Sequence, residues 1–278
     1  MPPRPGRGLT RIKPRSRKEA SVSPRRAFVG TSGWAYASWR KRFYEGRPPR
    51  EWLGFCAQRF SGLEINATHY RLQSAGTFRR WREATPRDFR FTLKAHRYLT
   101  HKRKLKNPSG PIRVERERAA ALGAKLAVVL WQLPGNFGCN LERLEAFAKA
   151  LGTWRRARHA IEFRHASWFR KEVADCLRRH RIAVCQSDAA DWPRWDAVTT
   201  DLVYVRLHGR PRTYASSYGE RALRAWARRI RRWQREGRAV HVYFDNDARG
   251  AAPRNAERLI ALLGQASVPR RSGRGGAV

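Results

Sequence analysis

Apolar residues recur along this chain in short runs whose side chains alternate. The runs fall at 28–30, 63–65, 91–95, 127–133, 160–163, 183–186, 202–207 and 240–244. Between them the spacing becomes helical. Trp52, Phe55, Cys56 and Phe60 share one face, as do Leu141, Leu144, Ala148 and Leu151. Val173, Cys176, Leu177 and His180 follow the same rule, and so do Ala256, Leu259, Ile260 and Leu263. Leu223, Trp226, Ile230 and Trp233 set an apolar stripe against Arg224, Arg228, Arg231 and Arg235. Strands alternating with helices over residues 27–264 predict an α/β fold, a single (β/α)8 TIM-like barrel. The sixth unit is irregular, because the stretch from Asp188 to Thr200 is too short and too broken by Trp and Pro for an ordinary helix. An open doubly wound sheet is the weaker alternative: Gly30-Thr-Ser-Gly33 is not the GxGxxG turn expected there.

Strand parity divides the side chains into two sets. The helix-facing set is apolar: Leu63/Ile65, Phe91/Leu93/Ala95, Val129/Trp131/Leu133, Ile161/Phe163, Val203/Val205/Leu207 and Val240/Val242/Phe244. The lumen-facing set is polar: Glu64/Asn66, Thr92/Lys94/His96, Gln132, Glu162/Arg164, Gln186/Asp188, Tyr204/Arg206/His208 and His241/Tyr243/Asp245. Its polar members fall near the strand C-termini, where barrel active sites are built. Buried charge pairs do little for stability compared with apolar packing, so ionisable groups from six strands point to a pocket.

Within that pocket Glu162, Asp188 and Glu64 are the expected acid/base groups, with Glu162 and Asp188 as the leading pair. A carboxylate beside cations stays ionised while one in apolar surroundings is pushed towards neutrality, and the two together supply a base and an acid. Lys94 is a candidate nucleophile if its pKa is depressed; otherwise it neutralises Glu64. Asn66, His96, Gln132, Arg164, Arg206, His208, Tyr243 and Asp245 are expected to bind substrate. Trp34 and Tyr36, with Trp39, offer a stacking wall or rim packing. The loop from His208 to Gly219 carries Arg210, Arg212, Ser216 and Ser217 after the seventh strand, a place where barrels hold phosphate. Four acids and two histidines would suit a divalent ion, but three cations on the same face oppose it and no HExxH spacing exists. No metal ligand is assigned and no cofactor is implied.

Composition changes this picture at the ends and on the surface. Lys and Arg number 60 against 22 Asp and Glu, a net charge of +38 at pH 7. A field this positive attracts polyanions. Residues 1–26 are basic, rich in Pro, Gly and Ser, and aperiodic; they read as a disordered arm able to hold nucleic acid non-specifically, or as a solvated tail. Residues 265–278 read as a flexible end. The four cysteines show no CxxC spacing, no run is long enough to span a membrane, and the basic N-terminus precedes no apolar segment. A cytoplasmic protein with reduced thiols is expected.

Several of these stretches also carry a family resemblance. They are Gly30-Thr-Ser-Gly-Trp-Ala-Tyr36 with Trp39 and Phe43-Tyr44, Glu64-Ile-Asn66 with Tyr70, Thr100-His101, and Gln132-Leu-Pro134. Glu162-Phe-Arg-His-Ala-Ser-Trp168, Tyr204-Val-Arg-Leu-His-Gly209, Tyr243-Phe-Asp-Asn246 and Asn255-Ala256 complete the set. In this order the chain resembles the YecE-like family, the domain of unknown function numbered seventy-two, from about Phe28 to Leu263. The resemblance implies a TIM barrel loosely related to sugar isomerases, of unassigned reaction. Departures are His69 where Phe is usual, Glu45 where Pro is common and Asp245 where Asn is frequent; the arm lies outside the match. Residues and resemblance together lead to the expectation of a barrel enzyme working by acid/base chemistry on a polar or anionic small molecule, sugar- or sugar-phosphate-like. A nucleic-acid-binding or phosphodiester-acting barrel using the arm and the Arg-rich surface is the alternative, and a non-catalytic metabolite-binding barrel a third.

Overall fold

The computed structural model describes residues 26–265. Eight strands, all parallel, lie in the order β1-β8-β7-β6-β5-β4-β3-β2. They are β1 Phe28–Thr31, β2 Gly62–Ile65, β3 Arg90–Lys94, β4 Leu126–Gln132, β5 Arg158–Glu162, β6 Ile182–Ala189, β7 Leu202–Gly209 and β8 Ala239–Phe244. Each coincides with one of the alternating runs. The helices are α1 Trp52–Arg59, α2 Ala67–Tyr70, α3 Ala75–Glu83, α4 Ser109–Ala119, α5 Leu141–Leu151, α6 Lys171–Arg179, α7 Glu220–Arg235 and α8 Ala251–Leu262. No α-helix separates β6 from β7. The sixth unit is irregular, as the Trp/Pro-broken stretch implies.

Two apolar layers hold the barrel. The outer one joins the helix-facing residues of the strands to the helices, with Trp131, Trp168 and Trp233 fully buried. The inner one fills the lower lumen with Val128, Leu130, Ala160, Ala183, Cys185, Leu202, Tyr204 and Tyr243. Tyr243, expected to touch substrate, therefore sits inside packing. Its hydroxyl accepts a hydrogen bond from Thr92 (3.1 Å) and lies 3.0 Å from His241 Nδ1, below the polar layer. Among the described residues no helix is long and apolar enough to cross a membrane. The expectations for the N-terminal arm and the C-terminal end fall, but for Arg26 and Gln265, outside the described residues.

The barrel closes where β1 meets β2, across a seam joined by a single bridge between Ser32 and Glu64. Gly33 N donates to Glu64 O (2.8 Å) and Val29 N to Ser61 Oγ (2.9 Å). A Cβ on Gly30 would stand 1.9 Å from the Gly62 carbonyl oxygen, so only glycine lets the strands approach this closely. Because the obstacle is backbone, Gly30→Ala must part the seam. We expect it to cost about 1–3 kcal/mol, the range for forcing extra volume into a packed interior, read as a lower denaturation midpoint at unchanged slope in urea.

Candidate functional site

The polar layer above the inner core is organised by Arg206, which is 0% exposed. Parity on β7 aims it into the lumen, where its fork reaches acids from three other strands or strand ends. Nη1 donates to Glu162 Oε2 (2.7 Å); Nη2 lies 2.8 Å from both Glu64 Oε1 and Asp245 Oδ2 and 3.2 Å from Ser32 Oγ. Glu64 is completed by Ser32 Oγ and Tyr204 Oη, each at 2.5 Å. Glu162 is completed by Arg164 Nε (3.0 Å) and Ser187 Oγ (3.2 Å). His208 stands between two acids, its Nε2 3.6 Å from Glu162 Oε1 and its Nδ1 3.1 Å from Asp245 Oδ2, the latter off the line of a hydrogen bond.

Burial alone would raise the pKa of Glu162 and Asp245. That is the largest single effect at each, but Arg206 together with Arg164 and His208 at Glu162, and with His208 and Lys94 at Asp245, outweighs it, and both carboxyls are held below the usual range. They are ionised and occupied. Glu162, expected as an acid/base group, is in this condition part of the frame around Arg206, and Glu64 shares that frame through its contacts with Arg206, Ser32 and Tyr204.

Lys94 is different. The residue is 5% exposed, and among the described residues its ammonium makes one hydrogen bond, to Asn66 Oδ1 at 3.2 Å. Glu64, its alternative partner, is taken by Arg206. Burial, then the charge of Arg206, depress the Lys94 pKa to about 8, against partial compensation from Asp245 and Glu64. Beside it Tyr36 donates to Ser32 O (2.8 Å) near Asn66 and Asp245. Arg164 forms the opposite wall, 17% exposed and stacked on Trp192 with its guanidinium carbon 3.9 Å from the ring centroid. Trp192 bonds Ser187 Oγ (2.9 Å), and Arg164 reaches Tyr214 Oη at 3.3 Å. Gln132 ends β4 between these walls, buried, in register with Glu162.

Five expected residues lie elsewhere. On β6 it is Ala183 and Cys185 that pack in the lumen and Ser187 that reaches Glu162, so Gln186 and Asp188 face out. Gln186 bonds Arg229 of α7 (2.8 Å), and Asp188 bonds Arg210 (2.8 Å) and Tyr218 (3.0 Å). With no helix after β6, polar side chains are tolerated on that outer face. Asp188 is consequently no partner for Glu162. His96 follows the end of β3, and its ring turns to the neighbouring loop, where Nδ1 accepts from Tyr98 N (3.4 Å), while its backbone amide donates to the buried Glu115 of α4 (2.9 Å). Trp34 packs on Trp81 and Phe91 in the helix layer, and Trp39 bonds Asp247 O (2.8 Å), so both are packing residues. The histidines near Lys94 are His69 and His101, rings 4.9 Å apart. Burial and then Lys94 lower their pKa values to about 3 and about 4, so both are neutral. Neither lies on a strand, so the alternation that sorts the lumen residues does not reach them.

The loop after β7 spends its polar groups on itself. Arg212 N donates to Ser216 Oγ (2.9 Å), Ser217 bonds Asn255 (3.3 Å), and Glu220 in the first turn of α7 pairs with Arg224 and Arg258. Only Tyr214 from it reaches the mouth. For a metal, the lumen carboxylates are already committed to Arg206. Among the described residues the compact His/Cys/acid group is Glu145, Cys176 and His180, outside the barrel between α5 and α6, where Glu145 also binds Arg179. The cleft of about 640 Å³ near Trp154, Arg158 and Arg181 opens at the opposite, N-terminal end of the strands and has no connection with this chemistry.

Comparison with known proteins agrees with the barrel. Residues 28–274 match the family described as protein of unknown function DUF72. The UPF0759 protein YunF of Bacillus subtilis is 24% identical over 275 residues, covering 85% of this chain and 94% of that protein. The UPF0759 protein YecE of Escherichia coli is 27% identical over 146 residues, 52% of this chain and 50% of its own length. A crystal structure of a DUF72 protein from Thermotoga maritima superposes with a TM-score of 0.77 at 28% identity, covering 86% of this chain and 99% of that one. One from Enterococcus faecalis gives 0.75 at 21%, covering 87% and 96%. The chain belongs to the DUF72 family.

Replacing Arg206 tests the frame. Arg206→Leu leaves Glu64 and Asp245 buried without the guanidinium that neutralises them and Glu162 with Arg164 alone, which we expect to cost about 3–5 kcal/mol at pH 7. The pH dependence should invert. In the wild type the folded pKa values of Glu162 and Asp245 lie below their unfolded values, so their stabilisation is full above about pH 5 and is lost as pH falls below about 4. In the variant the uncompensated carboxyls bind protons more readily folded than unfolded, so lowering the pH from 7 to 5 should raise the melting temperature. A variant that melts in parallel with wild type across that range would refute the frame.

Proposed function

We propose that this member of the DUF72 family is an enzyme acting on a small anionic molecule at the C-terminal mouth of the barrel, with Lys94 as its proton-transfer group. The carrying observation is the Lys94 ammonium: buried, bonded once, and surrounded by carboxylates that Arg206 has already claimed. A cation in that condition gains most from an incoming anion, because a buried charge is costly until it is paired. Arg164 supplies a planar donor for a carboxylate or phosphate, with Trp192 behind it. A pKa of about 8 suits an amine that takes and returns a proton near neutral pH. Sugar acids and sugar phosphates satisfy these demands, in keeping with the anionic substrate expected from the residues.

A thermal-shift panel of small carboxylates and phosphates at constant ionic strength tests this reading, with turnover of the hits followed by proton NMR. Binding should weaken at least tenfold in Arg164→Met and Lys94→Met, both still folded. Wild-type affinity should fall as pH rises through about 8, where Lys94 loses its proton, and this inflection should vanish in Lys94→Met. If no anion exceeds the effect of salt alone, the proposal fails.

A second reading draws on the outer surface. Arg221, Arg228 and Arg235 of α7 are exposed without an ion-pair partner among the described residues, a row suited to a nucleic-acid backbone. Binding of a short duplex should then survive deletion of residues 1–25 and weaken when these three arginines become Ser. Binding that disappears with the deletion would assign it to the arm.

A further inference from the structure

Resting on the anionic-substrate reading, we propose that Lys94 is a covalent group: its amine condenses with the carbonyl carbon of a small anionic aldehyde or ketone to form an imine. Three features of the mouth carry this. Lys94 ends β3 facing the lumen, enclosed to 5% exposure, with Asn66 Oδ1 its only hydrogen-bond partner among the described residues. No carboxylate pins it as an ammonium. Gln132 ends the adjacent β4, 5% exposed, with no side-chain hydrogen bond within the described protein. Its amide has both donor and acceptor unspent among the described residues, at a position where a substrate carbonyl or hydroxyl would meet it. Arg164, just past β5, supplies the anion contact and is held in place by Glu162, Trp192 and Tyr214.

Spacing then limits the substrate. Lys94 and Arg164 rise from strands two apart, so their backbones are separated by roughly 10 Å at the usual inter-strand distance. Long side chains converging across that gap leave room for a short chain with its carbonyl at one end and its carboxylate or phosphate at the other. Keto acids and short-chain sugar phosphates have this form. His69 and His101 are neutral beside Lys94 and so add no competing cation at the amine.

The step balances without a co-reactant. The free amine adds to the carbonyl carbon, the carbonyl oxygen gains a proton, and the resulting carbinolamine loses water. Overall, one ammonium and one carbonyl give one protonated imine and one water, with no change of oxidation state. The depressed pKa supplies the free amine near neutral pH, and the iminium would then acidify the neighbouring C–H bond, as an isomerase or lyase requires.

Reductive trapping tests it. The full chain is incubated with pyruvate, glyoxylate or dihydroxyacetone phosphate and sodium cyanoborohydride, then analysed by intact mass and peptide mapping. The expected result is one adduct at Lys94, at least tenfold above that at the exposed Lys171. It should be absent in Lys94→Arg and reduced at least tenfold in Arg164→Met. Thermal melts of both variants, with Lys94→Met as a second replacement, establish that they are folded. If the probes shift the melting temperature in an Arg164-dependent way but Lys94 is not labelled, the anion site stands and the imine is refuted. If they neither shift the melt nor label Lys94, the imine is refuted, and the wider anion panel decides the binding reading on its own.

Discussion

The upper half of this barrel depends on one guanidinium. Arg206 is fully buried and touches acids presented by β2, β5 and the end of β8. Desolvating an arginine costs several kcal/mol, and it is recovered only when the planar fork meets well-placed acceptors. Here the acceptors come from opposite sides of the barrel, so the same contacts that neutralise Arg206 also tie the strand ends together across the lumen. Lysine could not replace it, because a point charge cannot bridge three carboxylates in fixed directions.

That arrangement decides which groups remain available for chemistry. Three carboxylates, Glu64, Glu162 and Asp245, face three cations, Arg206, Arg164 and Lys94. If the charges were shared evenly the mouth would be inert. Instead Arg206 takes a contact from every acid and Arg164 a second one from Glu162, leaving Lys94 with an amide oxygen. Electroneutrality across the cluster lets it fold; the uneven partition leaves one amine without a carboxylate partner among the described residues. Asp245 joins both halves of the argument. Its charge steadies Arg206 and partly offsets the fall in the Lys94 pKa, so an Asn at this position would leave Lys94 still less protonated.

The barrel was legible because its helix-facing parity is apolar on six strands, and on those strands the opposite parity is indeed inward. β6 was misread because both of its parities are apolar at the start, Ile182 and Val184 against Ala183 and Cys185, so alternation carries no direction there. Polarity alone then points Gln186 and Asp188 to the lumen. Their outward partners, Arg229, Arg210 and Tyr218, are distant in sequence and leave no local signal. His96 was misplaced because β3 ends at Lys94 and parity stops applying in a loop. The hierarchy within the cluster was out of reach for a different reason. Which acid Arg206 claims depends on ångström distances between strands, and a residue list treats Lys94 and Arg206 as equivalent cations.

The irregular sixth unit connects these failures to the function. A helix after β6 would have covered the outer face and demanded apolar residues at positions 186 and 188. In its absence the segment after Ala189 first crosses the rim with Trp192 and then runs down the outside of β6, where Thr199 bonds Ile182 O (2.7 Å) and Asp201 pairs with Arg158 at the far end of the barrel. Trp192 comes down beside His208, ring centroids 4.8 Å apart, and supports Arg164 from behind. The departure from regular βα alternation that misdirected Asp188 is thus what builds one wall of the mouth. A stacked guanidinium keeps its edge free for a ligand while its face is occupied by the ring, so the loop turns Arg164 from a simple partner of Glu162 into a group with donors to spare. Lys94 and Arg164 then differ in kind: one cation is short of partners, the other is pre-oriented. That difference gives the two walls of the mouth unlike chemistry.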